Sequence, residues 1–171
     1  NLLGSGAEYN CRFTCKVQDQ AGGIAQALGL AENFAGQDPI VVILGDNIFE
    51  DDLTAAARTY TGNGAMILLK QVPDPQRYGV ALLDGDKVIG IQEKPENPPT
   101  SFAVTGVYFY DSRVFSAIRD LKPSRRGELE ITDVNNYYIR QNQMSSALLE
   151  GWWTDAGTPD SYRLANQLTM E

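Results

Sequence analysis

Two runs, Pro39 to Leu44 (PIVVIL) and Ala65 to Val72 (AMILLKQV), carry almost no polar face. Apolar runs this short and rich in branched residues suit strands covered on both sides, which belong to the sheets of α/β proteins. The 39–44 run therefore reads as a parallel, doubly covered strand that delivers Asp46 to its carboxyl end. In α/β sheets the carboxyl ends of strands open onto one crevice, where ligands bind. Three segments put charged residues at such ends: Leu44-Gly45-Asp46-Asn47, Glu93-Lys94-Pro95 and Trp153-Thr154-Asp155-Ala156-Gly157-Thr158. Two aspartates and a lysine gathered there can hold a divalent metal and a phosphate.

Around these runs, strand and helix patterns alternate. Arg12 to Gln18 (RFTCKVQ) reads as a half-buried strand, and Gly22-Gly23 then opens a helix over Ile24 to Phe34. Leu53 to Tyr60 reads as a helix capped from Asp51 or Asp52. Tyr78 to Leu83 and Lys87 to Glu93 flank Asp84-Gly85-Asp86, a hairpin signal. Pro95, Pro98 and Pro99 force a loop that leaves Glu93 and Lys94 at a strand mouth. Ala103 to Tyr110 follows as a strand and Arg113 to Leu121 as a helix, Thr132-Asp133 caps a helix through Gln141, and Met144 to Leu149 returns as a strand. The run Gly151 to Asp155 ends in a turn, after which Pro159 suits the start of a helix over Asp160 to Met170. No repeat, linker or low-complexity tract divides the chain, so residues 1–171 read as a single domain. It opens on Asn rather than Met, and Asn1-Leu2-Leu3-Gly4-Ser5-Gly6 reads as the tail of an earlier helix followed by a turn, which suggests a piece of a longer protein.

Histidine is absent from all 171 residues, which excludes Ser-His-Asp and Cys-His mechanisms and His-containing zinc sites. Acid–base work falls to carboxylates, lysine, tyrosine or metal-bound water. A net charge of -8 argues against non-specific nucleic-acid binding, which needs a basic surface. No segment approaches the roughly 18 consecutive apolar residues of a membrane span, and no signal peptide opens the chain, so a cytoplasmic protein with no membrane partner is expected. Cys11 and Cys15, four residues apart on the expected first strand, would lie about 13 Å from one another, too far for a disulfide, and read as buried small apolar side chains.

Seven segments, taken together and in order, resemble the sugar-1-phosphate nucleotidyltransferases, and within them the glucose-1-phosphate thymidylyltransferases. They are Gln18 with Gly23-Ile24-Ala25-Gln26-Ala27, Leu44-Gly45-Asp46-Asn47, Tyr78-Gly79-Val80, Glu93-Lys94-Pro95, Val104-Thr105-Gly106-Val107-Tyr108, Arg126-Gly127-Glu128-Leu129-Glu130-Ile131-Thr132-Asp133 and the 153–158 segment already named. The resemblance implies an α/β, Rossmann-like nucleotidyltransferase (nucleotide-diphospho-sugar transferase) fold with a mixed central sheet. It also implies the reaction: an oxygen of glucose 1-phosphate attacks the α-phosphorus of dTTP, displacing pyrophosphate and leaving dTDP-glucose. Catalysis of that kind is mostly positioning and electrostatic stabilisation.

The resemblance further assigns residues. Asp46 and Asp155 would hold Mg²⁺. Lys94 and Arg126 would bind the sugar phosphate, Lys94 as a point charge and Arg126 through its planar fork, with Arg125 left in solvent. Glu93 would accept from sugar hydroxyls, Asn47, Gly79 and Val104 would line the sugar pocket with Tyr78 and Trp153 beside it, and for Tyr78, Val104 and Trp153 a plain core role stays open. Gln18 and the Gly23 backbone would meet the pyrimidine base. Glu128, Glu130 and Asp133 are assigned mainly to structure. Members of the family also begin with a strand and a glycine-rich loop containing Gly-Thr-Arg and a following lysine, and no such stretch stands in these residues, Gly4-Ser5-Gly6 included. The expected fold therefore lacks its first strand and triphosphate loop, and the sheet edge this would expose points to a homo-oligomer. Two other readings stay open: a uridylyltransferase using UTP, since glutamine also pairs with uracil, and a non-catalytic remnant that binds a nucleotide sugar or assembles with other chains.

Overall fold

Strand β6 (Phe102–Tyr110) organises the computed structural model, which describes residues 4–170; eight of its nine residues are buried, so it is covered on both faces. One edge pairs antiparallel with β3 (Ala65–Gln71), from Ala65 opposite Tyr110 to Gln71 opposite Phe102. The other edge is shared: β1 (Ile40–Ile43) takes residues 107–110, and β4 (Gly79–Asp84) meets Ala103 through Val80. Beyond β4 lies β5 (Lys87–Glu93), joined to it by the expected turn at Asp84-Gly85-Asp86, where Gly85 takes a positive φ of 58°. Beyond β3 lies β7 (Met144–Leu148), which runs parallel to it. The sheet order is β5-β4-β6-β3-β7, and β2 (Asn47–Phe49) forms a separate antiparallel pair with β8 (Trp153–Asp155). The sheet is mixed, as expected, within an α/β architecture.

Six helices complete the described residues: α1 (Ile24–Gly29), α2 (Glu32–Ala35), α3 (Leu53–Thr59), α4 (Val114–Arg119), α5 (Ile131–Arg140) and α6 (Pro159–Leu168), with single 3-10 turns at Ala7–Tyr9 and Pro75–Arg77. Side chains of α1, α4 and α5 pack on one face of the sheet around Ile67, Val134 and Tyr138, while α3 and the β2–β8 pair cover Leu68, Val107 and Phe109 on the other. Several caps follow the sequence. Asp52 accepts from the Thr54 N–H to start α3, and Thr158 and Ser161 make a reciprocal capping box ahead of Pro159 in α6.

Five expectations are corrected. Residues 12–18 form no strand: the segment is exposed, and no neighbour among the described residues offers it a ladder of hydrogen bonds, without which alternation cannot become sheet. Cys11 and Cys15 are accordingly exposed free thiols, not buried side chains. The 39–44 run is an antiparallel edge strand, with Ile40 and Val42 against the core but Val41 51% and Ile43 59% exposed. A run with no polar residue does not reveal which face is covered. The helix expected over 24–34 breaks after Gly29 into α1 and α2, glycine being among the weakest helix formers. At α5 the N-cap is Glu130, without a side-chain cap bond, so Thr132 and Asp133 already lie inside the helix. The expected helix tail at 1–3 lies outside the described residues.

A buried carboxylate ties the end of β6 to its surroundings. Asp111 accepts from the Gly64 N–H (2.7 Å), the Arg113 N–H (3.0 Å) and guanidinium, and the Tyr138 hydroxyl (2.9 Å). Burial pushes its pKa up, but the Arg113 guanidinium, Gly64 and Tyr138 together more than offset that and hold it below the ordinary aspartate value. Asp111→Ala leaves these donors unpaired and is expected to cost about 3 kcal/mol in chemical denaturation. Because the folded-state pKa is depressed, the stability it gives is present above the unfolded-state value and lost as pH falls through the folded one. The wild-type advantage over Asp111→Ala should therefore shrink in strong acid; an advantage unchanged from neutral pH down to acid would refute this account.

Candidate active site

The turn after β1 and the β2–β8 pair bring two aspartates together. Leu44 N–H bonds the Gly106 carbonyl (2.8 Å), anchoring the turn to β6, and Ala156 N–H bonds the Asp46 carbonyl (2.7 Å). In the β2–β8 register Asn47 faces Asp155, so Asp46 and Asp155 flank one end of that small ladder. Gly157 shows how closely they converge. A Cβ placed on it would lie 3.2 Å from Asp155 Oδ2 and 3.4 Å from Asp46 Oδ2. The other oxygens are already engaged: Asp46 Oδ1 accepts from Asn47 Nδ2 (2.8 Å), and Asp155 Oδ1 from Arg77 Nη2 and the Tyr78 hydroxyl, both at 3.1 Å. Among the described residues no group of three or more acidic or thiol side chains is placed to hold a metal ion. Two carboxylates with one oxygen each turned to a shared space fit a hard divalent cation that takes its other ligands from phosphate and water.

Asn47 fixes this arrangement. Its Oδ1 accepts from both the Gly106 N–H and Trp153 Nε1, each at 2.8 Å, while its Nδ2 holds Asp46. The side chain packs so closely on β6 that a Cβ at Gly106 would fall 2.4 Å from Asn47 Nδ2. Asn47 is thus spent on binding β2, β6 and β8 together, beyond the pocket-lining role expected of it.

A cleft of about 190 Å³ opens beside the aspartates, and Asp46, Asn47, Tyr78, Gly79, Glu93, Lys94, Val104, Trp153 and Asp155 all line it. Glu93 ends β5 with Oε2 accepting from the Thr132 hydroxyl at 2.5 Å. Lys94 follows with a left-handed φ of 42°, its N–H bonded to the Tyr78 carbonyl at 3.0 Å, and its ammonium makes no ion pair among the described residues. Tyr78 packs on Trp153 with ring centroids 4.9 Å apart, and burial first, then the Asp155 carboxylate, raises the pKa of its hydroxyl. Tyr108, buried on β6 in the same wall, is raised by burial and then by the Glu93 and Asp46 carboxylates.

Three expected residues sit apart from this cleft. Arg126 pairs with Glu128 (2.6 Å), Glu130 (3.6 Å) and Glu93 (3.9 Å), and the Glu128 hydrogen bond, then Glu130, raise its pKa. It reaches Glu93 only at the rim, and Glu128 and Glu130, assigned mainly to structure, engage its guanidinium more closely. Gln18 and Gly23 line a neighbouring recess that shares Ile24 and Leu44 with the main cleft. Gln18 Nε2 donates to Gln26 Oε1 (2.7 Å) and the Gly23 carbonyl (3.3 Å). Gly23 has a φ of 96°, and a Cβ there would lie 2.5 Å from the Leu129 carbonyl oxygen. The backbone of Leu129 already requires glycine here, before any ligand is considered.

Sequence reasoning missed Arg77, Thr132, Tyr108 and Asn135, all of which line the cleft. Thr132 and Tyr108 stood inside quoted motifs, and Arg77 stood next to one. Nothing in the chain order announces that Arg77 reaches Asp155, 78 positions away.

The family model for nucleotidyl transferases matches residues 1–171. The low-salt glycan biosynthesis nucleotidyltransferase Agl11 of Haloferax volcanii is 41% identical over 100% of this chain and 49% of its own length. The glucose-1-phosphate thymidylyltransferase of Neisseria meningitidis is 40% identical over 94% of this chain and 58% of its own. A crystal structure of a Bacillus anthracis protein assigned as a glucose-1-phosphate thymidylyltransferase, in complex with a sucrose, superposes with a TM-score of 0.93 at 55% identity, over 99% of this chain and 70% of that one. The chain spans about half the length of the curated relatives it matches.

Asn47→Ala removes three hydrogen bonds at once and leaves the Gly106 N–H and the Trp153 indole N–H without their acceptor. A loss of about 2–3 kcal/mol is expected in denaturant unfolding, together with a shifted tryptophan emission. Unfolding within about 0.5 kcal/mol of wild type with unchanged emission would show that Asn47 does not hold the ladder together.

Proposed function

The chain belongs to the nucleotidyl transferase family, and from that premise we propose that it carries the sugar-phosphate and metal part of an enzyme that transfers a nucleotidyl group from dTTP to glucose 1-phosphate. A phosphate oxygen of the sugar phosphate forms a bond to the α-phosphorus, the bond from that phosphorus to the bridging oxygen breaks, and pyrophosphate leaves with the electron pair. The observation that carries this reading is the convergence of Asp46 Oδ2 and Asp155 Oδ2 over Gly157 beside a cleft that holds Lys94.

The residues then divide the work. Asp46 and Asp155 hold Mg²⁺, which when bound neutralises phosphate charge and orients the triphosphate. Lys94, which no carboxylate among the described residues pairs, offsets the charge of the sugar phosphate, and Arg126 reaches the same phosphate from the rim by exchanging its Glu128 partner. Glu93, oriented by Thr132, accepts from sugar hydroxyls; Gly79 and Val104 form the wall, and Tyr78 and Trp153 pack against the sugar. Gln18 and the Gly23 backbone take the pyrimidine in the adjacent recess. The likeness to a thymidylyltransferase supports thymidine over uridine, while a glutamine amide can pair with either base. No helix of the described residues is long and apolar enough to cross a membrane, and we place the protein in the cytoplasm. The open β1 edge, with Val41 and Ile43 exposed, favours a homo-oligomer.

Pyrophosphate release from dTTP or UTP with glucose 1-phosphate and Mg²⁺ tests the reading, together with calorimetric binding of dTDP-glucose. Asp46→Asn and Asp155→Asn should each lower turnover at least about 100-fold, and dTTP should outpace UTP. Nucleotide-sugar binding without pyrophosphate release would favour the remnant reading, and neither binding nor turnover would remove the proposal. Size-exclusion with light scattering is expected to give a multiple of the 18.8 kDa chain; a monomer at high concentration would overturn the assembly.

A further inference from the structure

Asn135 is 1% exposed, yet its side-chain Nδ2 has no hydrogen-bond partner, the one such buried side-chain nitrogen or oxygen among the described residues. Its Oδ1 accepts from the Tyr110 hydroxyl at 2.6 Å, so turning the amide over would take away that proton's acceptor. The two N–H groups are therefore committed to the other side. Buried amide donors are seldom left unpaired in folded proteins, because desolvating one without compensation is costly.

Its position indicates what the donor meets. Asn135 lies one turn beyond Ile131 and Thr132 on the same face of α5, and all three line the cleft. Thr132 holds Glu93, so Asn135 belongs to the Glu93 wall of the cleft. Glu93 as a carboxylate can only accept, whereas the Asn135 amide can only donate from its free side. A hexose hydroxyl is donor and acceptor at once, and a wall with both functions suits it better than it suits the anionic phosphate. Building on the sugar-phosphate reading above, we infer that Asn135 is a sugar-recognition residue whose Nδ2 donates to one hydroxyl oxygen of the bound hexose, set in place by Tyr110.

The test is a double-mutant cycle between protein and ligand, read as calorimetric affinity for glucose 1-phosphate and its 2-, 3-, 4- and 6-deoxy analogues. Asn135→Leu is measured alone and with Tyr110→Phe, so that one variant has no orphaned hydroxyl; Tyr110→Phe alone is the control, and thermal unfolding checks each fold. Glucose 1-phosphate should bind about fivefold to tenfold more weakly to both Asn135→Leu proteins. One deoxy analogue should lose a similar factor with the wild-type chain but lose nothing further in those variants. Tyr110→Phe, which frees the amide to turn over but keeps its donor, should weaken the preference for that hydroxyl without abolishing it. Undiminished losses for all four analogues in the Asn135→Leu proteins would overturn the inference alone. A wild-type chain that bound no hexose 1-phosphate would overturn it together with the proposed function.

Discussion

The structure depends on β6 being buried on both faces. A strand in that state must find partners for its backbone on both edges, because an unpaired amide inside a protein costs about as much as a lost hydrogen bond. β3 supplies one edge, while β1 and β4 divide the other. That division creates the cleft. Where β1 leaves β6 after Ile43 the chain must turn, and the turn is Leu44-Gly45-Asp46. Where β4 meets β6 at Ala103, its hairpin partner β5 ends on Glu93 and Lys94 at the same mouth. The acidic and basic members of the site are thus two outcomes of one sheet-pairing constraint.

Asn47 and Thr132 convert that proximity into geometry. Without Asn47, the turn after β1 would be tied to β6 only through the Leu44 backbone, and Asp46 would be free to rotate. Without Thr132, Glu93 would keep only the distant Arg126 contact at 3.9 Å. Both are neutral residues whose polar groups are used up inside the protein. They hold the charged groups and leave the latter's free lone pairs to the cleft.

Motifs at strand ends were legible because charge next to an apolar run is a local pattern. So were the hairpin at Asp84-Gly85-Asp86 and the α3 and α6 starts, each governed by turn or cap chemistry within four residues. Apart from the break after Gly29 and the start of α5, what failed was non-local. Alternation at 12–18 says nothing about whether a pairing edge is present, and the apolar character of 39–44 says nothing about strand direction. The same limit hid Arg77, Asn135 and the true cost of replacing Gly23, each defined by a partner far away in the chain. Arg126 stood out in the sequence as a candidate, but its company of three carboxylates did not.

Glu93 is held by the Thr132 hydroxyl, with the Arg126 guanidinium 3.9 Å from its other oxygen, and no ligand is needed to orient it. A carboxylate fixed in advance has little rotamer entropy left to lose when a partner arrives. The same fixity removes its means of accommodation. A partner whose hydroxyl points the other way could not be met by a swing of the side chain, so the mismatch would be felt in full as a lost bond and a stranded polar group. On the proposed sugar-binding reading, stiffness here would be a means of telling stereoisomers apart.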